Sequence, residues 1–422
     1  MEKKRIKALL CCSTCSPGRG SEPGMGWNFA SAVSSFCEAH IIVFDGYRST
    51  LQAYCAEHPE ETKHIHFHFL ADEPLSGRWL SPFKKHFPTL YCYYLYNKWL
   101  RRATELAQQL DKEENFDLVH QVTMAGFRFP GFLWRLRKPL LWGPIGGLDN
   151  APYRLLISLS PMEIVGYTLR NIINSWQRRF GYAAKVYARH ADYILASTKE
   201  GERIVRNVWK RHGEYMCEIG TQHATSGSRE VPIHRQGTPL RVCWAGIMNN
   251  QRKNLPLLFR ALEYCESPVE VRVMGCGAML AFWQKLAQRV PSRHRVTFLG
   301  GVVQERVYAE MRSAHVFSIT SVKDDTSSVL LEALQHGLPV IAPDSCGFSG
   351  VITEECGIKI DIALPETFAE NYGRALDSLA KNEDRRIRLA HGATRRAEAY
   401  TWEHKTERLK EIYRALASRE PL

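Results

Sequence analysis

No stretch of this 422-residue chain reaches the roughly 20 consecutive apolar residues that a membrane-spanning helix needs, so no spanning helix is expected. The start is basic, with Lys3, Lys4, Arg5 and Lys7, but the apolar run Ala8–Cys12 that follows is too short for the core of a secretion signal. A cytoplasmic chain is therefore expected. Twelve cysteines without such a signal are expected to stay reduced and to serve as packing residues rather than as a disulfide framework. Cys12 and Cys15 form a CxxC, yet no second pair at metal-binding spacing follows. His64, His66 and His68 alternate along a strand, where a polar face is the simpler reading than a metal site. Nor is there an Asp-x-Asp pair of the kind that holds a divalent cation, so neither metal nor cofactor is expected.

Acidic residues are missing from two stretches. Between Arg78 and Arg102 there are six basic residues and no acidic one, interleaved with Trp79, Phe83, Phe87, Tyr91, Tyr93, Tyr94, Tyr96 and Trp99. Between Glu163 and Asp192 stand Arg170, Arg178, Arg179, Lys185 and Arg189, again without an acid. With a net charge of +12, cations mixed with aromatics suit an anionic membrane surface. The same charge would attract nucleic acid, but no nucleic-acid-binding motif accompanies it, so that partner is not expected.

What is present is a repeated strand and helix rhythm. Arg5–Cys12, His40–Phe44, Phe116–Val122 and Leu140–Trp142 read as strands, with a helix over Trp27–Phe36. After Ala191–Ser197 the polar stretch Thr221–Gly237 reads as a linker. A second series follows at Leu240–Ala245, Val269–Met274, Arg295–Leu299, His315–Ile319 and Leu338–Ala342. This predicts an α/β chain of two doubly wound domains, residues 1–225 and 238–400, at a length that suits about 200 residues each. The terminal segment Trp402–Ala417 has helical periodicity, with Leu409, Ile412, Tyr413 and Leu416 on one face.

The segment from Asp324 to Gly337 carries the strongest chemical signal. Thr326, Ser327 and Ser328 are candidate N-caps, Gly337 is a stop, and Pro339 follows where a helix cannot continue. The first turn of such a helix, around Val329, offers unpaired N–H groups and the positive end of a dipole to a phosphate. Glu332 stands one turn further in, where a carboxylate can accept hydrogen bonds from a ribose diol. Upstream, Ala245-Gly246-Ile247 ends a strand, and Arg252 and Lys253 precede a helix beginning near Leu255. Fixed cations there can neutralise charge growing on a leaving group. In the first half, the loop Gly18–Gly26 follows a strand and opens a helix, and His120 lies near the end of another strand, the edge at which open α/β sheets bind ligands.

Together these motifs resemble glycosyltransferase family 4, retaining enzymes of the two-domain GT-B fold, and specifically a subgroup with a Gly-Ser-Glu-Pro-Gly loop near the start. The resemblance runs from Gly18 to about Trp402, with motifs in family order. It implies two Rossmann-like domains facing a cleft, the first for the acceptor and the second for a UDP- or GDP-sugar, with residues 401–422 forming a helix that crosses back to the first. It assigns Glu332 to the donor ribose, and Asp324, which stands where the family usually has glutamate, to the neighbourhood of the donor sugar. Ser327, Ser328, Val329, Thr326 and Gly246 belong to the same donor site, with Arg252 and Lys253 on the phosphates. His120 would join Asp324 and the two cations in the catalytic centre. Gly20, Ser21, Glu22, Gly24 and Arg128 would form the cleft loop and acceptor side. The implied reaction moves a sugar to a hydroxyl of a lipid-linked or other glycan acceptor in lipopolysaccharide, capsule or exopolysaccharide synthesis, with the enzyme cytoplasmic or peripheral on the inner membrane face. Two other classes remain. A nicotinamide-dependent oxidoreductase would use the Gly18–Gly24 loop and Asp45, although Gly18, Gly20 and Gly24 do not space as GxGxxG. A catalytically silent, membrane-associated assembly protein would use the basic aromatic stretch.

Overall fold

A computed structural model describes residues 5–71, 86, 88–221 and 231–420. The linker residues 222–230, and much of the first half of the 78–102 basic stretch, lie outside the described residues. The chain divides into two compact units. One comprises Met1–Leu148, Trp176–Glu218 and Lys405–Leu422, and the other Asp149–Ser175 and Ile219–His404.

The first unit is built on strands β1 (Ile6–Cys12), β2 (Cys37–Phe44), β3 (Ile65–Leu70), β4 (Leu118–Thr123), β5 (Leu140–Ile145), β6 (Tyr193–Ala196) and β7 (Glu214–Tyr215), in the order β3-β2-β1-β4-β5-β6-β7. All the pairs are parallel. Parallel sheets are covered on both faces, which is why Ala8 to Cys12 of β1 form an apolar run that is buried throughout. Trp99, Phe116, Trp142 and Tyr187 fill a core on this sheet. His64, just before β3, and the histidines of β3 have polar neighbours. Glu38 meets His64 at 2.8 Å and His66 at 3.2 Å, and His68 Nε2 lies 3.1 Å from His40 Nδ1.

The second unit repeats the plan with β8 (Leu240–Ala245), β9 (Val269–Met274), β10 (Arg295–Gly300), β11 (Val316–Ser318), β12 (Val340–Pro343) and β13 (Gly357–Ile360), in the order β10-β9-β8-β11-β12-β13. These pairs too are parallel. In both sheets the strand order reverses beside the first strand, between β1 and β4 and between β8 and β11. That arrangement is the Rossmann-like, doubly wound one, and such a reversal leaves a crevice beyond the carboxyl ends of the strands where ligands settle.

Beside the expected 1–225 and 238–400, the second unit also takes in residues 149–175, 219–225 and 401–404. Asp149–Ser175 belongs with the second unit because Leu155, Leu156, Leu159 and Tyr167 join the core that contains Trp244, Leu258 and Tyr372. The last helix, Trp402–Ser418, does return to the first unit from Lys405 onward. Leu409, Ile412, Tyr413 and Leu416 are its buried face, as their spacing predicted. Lys405 Nζ donates to the Cys217 carbonyl at 2.6 Å, and Arg408 pairs with Glu214 at 2.6 Å.

Candidate functional site

Two loops of the second unit meet beyond the carboxyl ends of β8 and β11. The loop after β8 passes Gly246 and tightens into a 3-10 turn, Gln251–Lys253, whose first N–H groups are met by the Asn250 side chain, 3.1 Å from Arg252 N. Asn254 then takes a left-handed conformation and the helix Leu255–Glu263 starts with Pro256 in its first turn, where the missing N–H costs nothing. The loop after β11 is fastened to it. Val322 N donates to the Arg252 carbonyl at 2.9 Å, and Thr320 Oγ1 donates to the Lys253 carbonyl at 2.9 Å. Trp244 Nε1 in turn donates to Thr320 Oγ1 at 3.2 Å. Backbone and side-chain bonds thus fix Arg252 and Lys253 against the segment that carries Asp324.

The result is an ion triad. Asp324 accepts from Arg252 Nη1 at 2.7 Å and from Lys253 Nζ at 2.6 Å, one cation on each carboxylate oxygen. Arg252 also donates to the Lys323 carbonyl at 3.0 Å, and Lys253 donates to Ser327 Oγ at 3.3 Å. Burial alone would raise the Asp324 pKa, but the Lys253 and Arg252 cations outweigh it and hold the carboxyl below its ordinary range. The triad stands directly before the helix Ser328–Gln335. Ser327 occupies the N-cap position, but its hydroxyl makes no capping bond there and is engaged instead by Lys253. Leu330, Leu331, Ala333 and Leu334 bury one face of this helix, and Glu332 is left half-buried beside it, its pKa raised by burial.

Two close approaches shape the loops. A Cβ on Gly347 would lie 1.7 Å from the Asp325 carbonyl oxygen, so only glycine lets the Cys346–Val351 helix press against the Asp324–Thr326 segment. Gly275, at φ +143°, likewise sits where a Cβ would fall 2.0 Å from the Gly246 carbonyl oxygen.

Sequence reasoning missed Lys323. Its ammonium is buried without a hydrogen-bond partner among the described residues, and Asp325 is 3.8 Å away. Burial lowers its pKa, but the neighbouring Cys346, Asp325 and Asp149 reverse that and leave it raised. A lysine between an apolar strand end and an acidic pair carries no distinguishing periodicity, so no sequence signal marks it.

The first unit gathers a second group beyond β1 and β4. Gly20 caps the helix Ser21–Ser34, Ser21 has a positive φ of 59°, and Glu22 Oε1 accepts from Ala125 N at 2.9 Å. Gly24 is required there, since a Cβ would fall 1.9 Å from the Arg19 carbonyl oxygen. Arg128 Nε donates to Gln177 Oε1 at 2.6 Å. His120 is placed differently from the substrate-facing position expected of it. Its ring is fully buried within β4, Nε2–H donates to the Gly143 carbonyl at 2.7 Å, and Nδ1 accepts from the Tyr413 hydroxyl at 2.7 Å. Burial lowers its pKa to about 4 despite the Gly143 bond, so the imidazole is a neutral interior group with both nitrogens occupied. A cavity of about 640 Å³ lined by Trp134, Asp192 and His212 lies near the amino ends of β5 and β6, the opposite strand edge from the ligand-binding one.

Residues 239–378 match the family model for glycosyl transferases group 1. A D-inositol 3-phosphate glycosyltransferase of Corynebacterium urealyticum is 29% identical over 210 residues, covering 47% of this chain and 48% of that protein. The chain thus matches about half the length of that relative. Sucrose-phosphate synthase from Thermosynechococcus elongatus aligns over 99% of this chain and 100% of its own at a TM-score of 0.64 and 16% identity. The Anabaena protein HepE in complex with UDP aligns over 97% of this chain and 100% of its own at a TM-score of 0.62 and 13% identity. At these identities the structural likeness establishes a shared two-domain GT-B fold.

Proposed function

We propose that this chain is a retaining glycosyltransferase that moves a sugar from a nucleotide-sugar, UDP- or GDP-linked, to a hydroxyl of a glycan acceptor. The observation that carries the reading is the Arg252–Asp324–Lys253 triad, held at the start of the Ser328–Gln335 helix at the switch point of the second sheet. It lies within the residues that match the group 1 glycosyl transferase model, and a UDP complex is among the similar folds.

In this reading the donor diphosphate takes the free amides of Ser328 and Val329, with Thr326 and Ser327 hydroxyls beside them. Arg252 and Lys253, already oriented by Asp324, stabilise the negative charge that develops as the glycosidic oxygen leaves with the diphosphate. Glu332 accepts from the ribose hydroxyls, and Gly246 allows the loop after β8 to approach the nucleotide closely. The departing diphosphate accepts the proton of the incoming hydroxyl on the same face of the sugar, so catalysis rests on orientation and charge stabilisation rather than on a covalent carboxylate nucleophile. Gly20, Ser21, Glu22, Gly24 and Arg128 in the first unit serve the acceptor. His120 acts on the position of β4 and not on substrate.

The acceptor we assign is a lipid-linked glycan precursor of a surface polysaccharide, reached from the cytoplasmic face by peripheral membrane contact. The matched relative is named for transfer to D-inositol 3-phosphate, which makes that compound the control acceptor. The test is donor binding and turnover in Glu332→Gln. With fold intact by circular dichroism, UDP affinity should fall at least tenfold, in line with a lost pair of charge-assisted hydrogen bonds. Unchanged UDP affinity and unchanged transfer in that variant would overturn the donor-site assignment.

A further inference from the structure

The helix Pro161–Phe180 is folded inside out. Surface helices of soluble proteins turn an apolar stripe to the core and polar residues to water. Here the buried positions are Tyr167, Asn171 and Asn174. Asn171 accepts from Ala151 N at 3.0 Å and donates to Ala151 O at 2.8 Å, and Asn174 donates to Asp149 O at 3.1 Å. These amides satisfy the backbone of the segment beneath, so the polar face is the one that holds the helix in place.

The apolar residues point the other way. Met162 is 86% exposed, Val165 68% and Trp176 60%, and Leu169, Ile172, Ile173 and Phe180 are exposed with them. At about 100° per residue all of these fall within an arc of roughly 100°, forming one continuous ridge along the helix. Tyr182, two residues beyond the helix end, is exposed as well. A contiguous exposed patch of this kind marks an interaction site, whereas scattered apolar residues do not.

Charge selects the occupant. No acidic residue occurs between Glu163 and Asp192, and by helical rotation Arg170 and Arg179 lie on the two flanks of the ridge. Arg179 and Lys185 sit about the Phe180 ring, at 6.0 and 5.9 Å from its centre. A second copy of the chain would set these cations against one another, with Glu163 in the first turn as the helix's one carboxylate to answer them. An anionic lipid surface meets both demands at once, taking apolar side chains into the acyl boundary and cations at its headgroups. No described helix is long and apolar enough to cross a membrane, which leaves the in-plane arrangement.

We propose that the Pro161–Phe180 helix is an in-plane membrane-docking element, its ridge from Met162 to Phe180 inserted into the interface of an anionic bilayer with Arg170 and Arg179 on the headgroups. The proposal deepens the peripheral-membrane part of the reading above and is independent of the sugar-transfer part. The experiment is co-sedimentation of the full chain with vesicles of phosphatidylcholine alone or with 30 mol% phosphatidylglycerol, about 30 being chosen as a typical anionic fraction. Wild type should bind the anionic vesicles and not the neutral ones. Ile172→Glu with Trp176→Glu should abolish binding, and Arg170→Gln with Arg179→Gln should weaken it roughly 30-fold, about fivefold per cation. Unaltered circular dichroism and an unaltered thermal shift with UDP keep these exposed-site variants comparable with wild type. Equal binding to both vesicle types, full binding by the double glutamate variant, or a wild-type dimer that those glutamates split in solution would each overturn the proposal. Vesicle binding that persists when UDP shifts neither protein would sink the donor reading and leave this one standing.

Discussion

Asp324→Asn probes the energetics of the triad directly. The change keeps shape and removes charge, leaving Arg252 and Lys253, formerly 2.7 and 2.6 Å from one carboxylate, facing an amide. Breaking a buried ion pair from one side costs about 3–5 kcal/mol, because the partner is left desolvated and unmatched. The Lys253 side chain is 11% exposed and bears that cost in full, whereas Arg252 at 33% is partly screened by solvent. The lower figure, about 3 kcal/mol, is therefore expected for the second unit, or a melting temperature lower by roughly 6–12 °C for a unit of this size. Trp244 and Trp283, whose buried rings lie 6.0 Å apart in that unit, make its urea unfolding visible by fluorescence. The same variant should gain more from UDP than wild type does, since a phosphate anion then meets cations that no carboxylate neutralises. Saturation at about 100 times Kd contributes about 2.7 kcal/mol to whichever form binds, and a tighter Kd in the variant shows as a larger shift at fixed UDP. Stability within about 0.5 kcal/mol of wild type would refute the claim that Asp324 holds the two cations.

Other outcomes follow from the same structure. His120 has a folded-state pKa of about 4, below the unfolded value near 6.5, so the unfolded chain takes up a proton first. The stability gained by keeping the ring neutral is complete above about pH 6.5 and is lost as pH falls to about 4, by at most about 3 kcal/mol; His120→Gln should flatten that part of a urea-stability profile against pH. Gly347→Ala places a methyl 1.7 Å from the Asp325 carbonyl oxygen and should destabilise the second unit by about 2 kcal/mol and raise the Kd for UDP, measurable by calorimetry. Arg386 is fully buried, donating to Glu383 and to the Pro232 carbonyl at 2.5 Å; Arg386→Ala should cost about 3 kcal/mol or more in chemical unfolding without changing nucleotide affinity.

The parallel strands were readable because a strand buried on both faces must be apolar throughout, as in Ala8–Cys12 and Val340–Ala342. The helix after Ser327 was readable because its start, its apolar face and Gly337 all agree, and Gly337 does have a positive φ of 68°. That Ser327 would serve Lys253 rather than the helix amides was not readable, since it depends on a loop 74 residues away in sequence. The grouping of Asp149–Ser175 with the second unit was not readable either. Tyr167, Leu155 and Leu159 are ordinary apolar residues until the fold shows which core they complete. The Pro161–Phe180 stripe resembles any amphipathic helix in sequence; only Asn171 and Asn174, tied to Ala151 and Asp149, reveal which side is held. His120 shared its strand-end position with a reactive group, and its fate was decided by Tyr413, 293 residues later.

That last pairing bears on how the chain is made. Domains generally fold as units, the earlier one first, while synthesis is still under way. Here the sheet holding His120 lacks its closing helix until the second unit has been synthesised, because Leu409, Ile412 and Tyr413 follow that unit in the chain. The early half must wait with an uncovered imidazole and an open apolar flank while the later half completes itself. A nascent chain stalled before residue 405 should accordingly be a target for chaperones and proteases at its front end and already native at its rear.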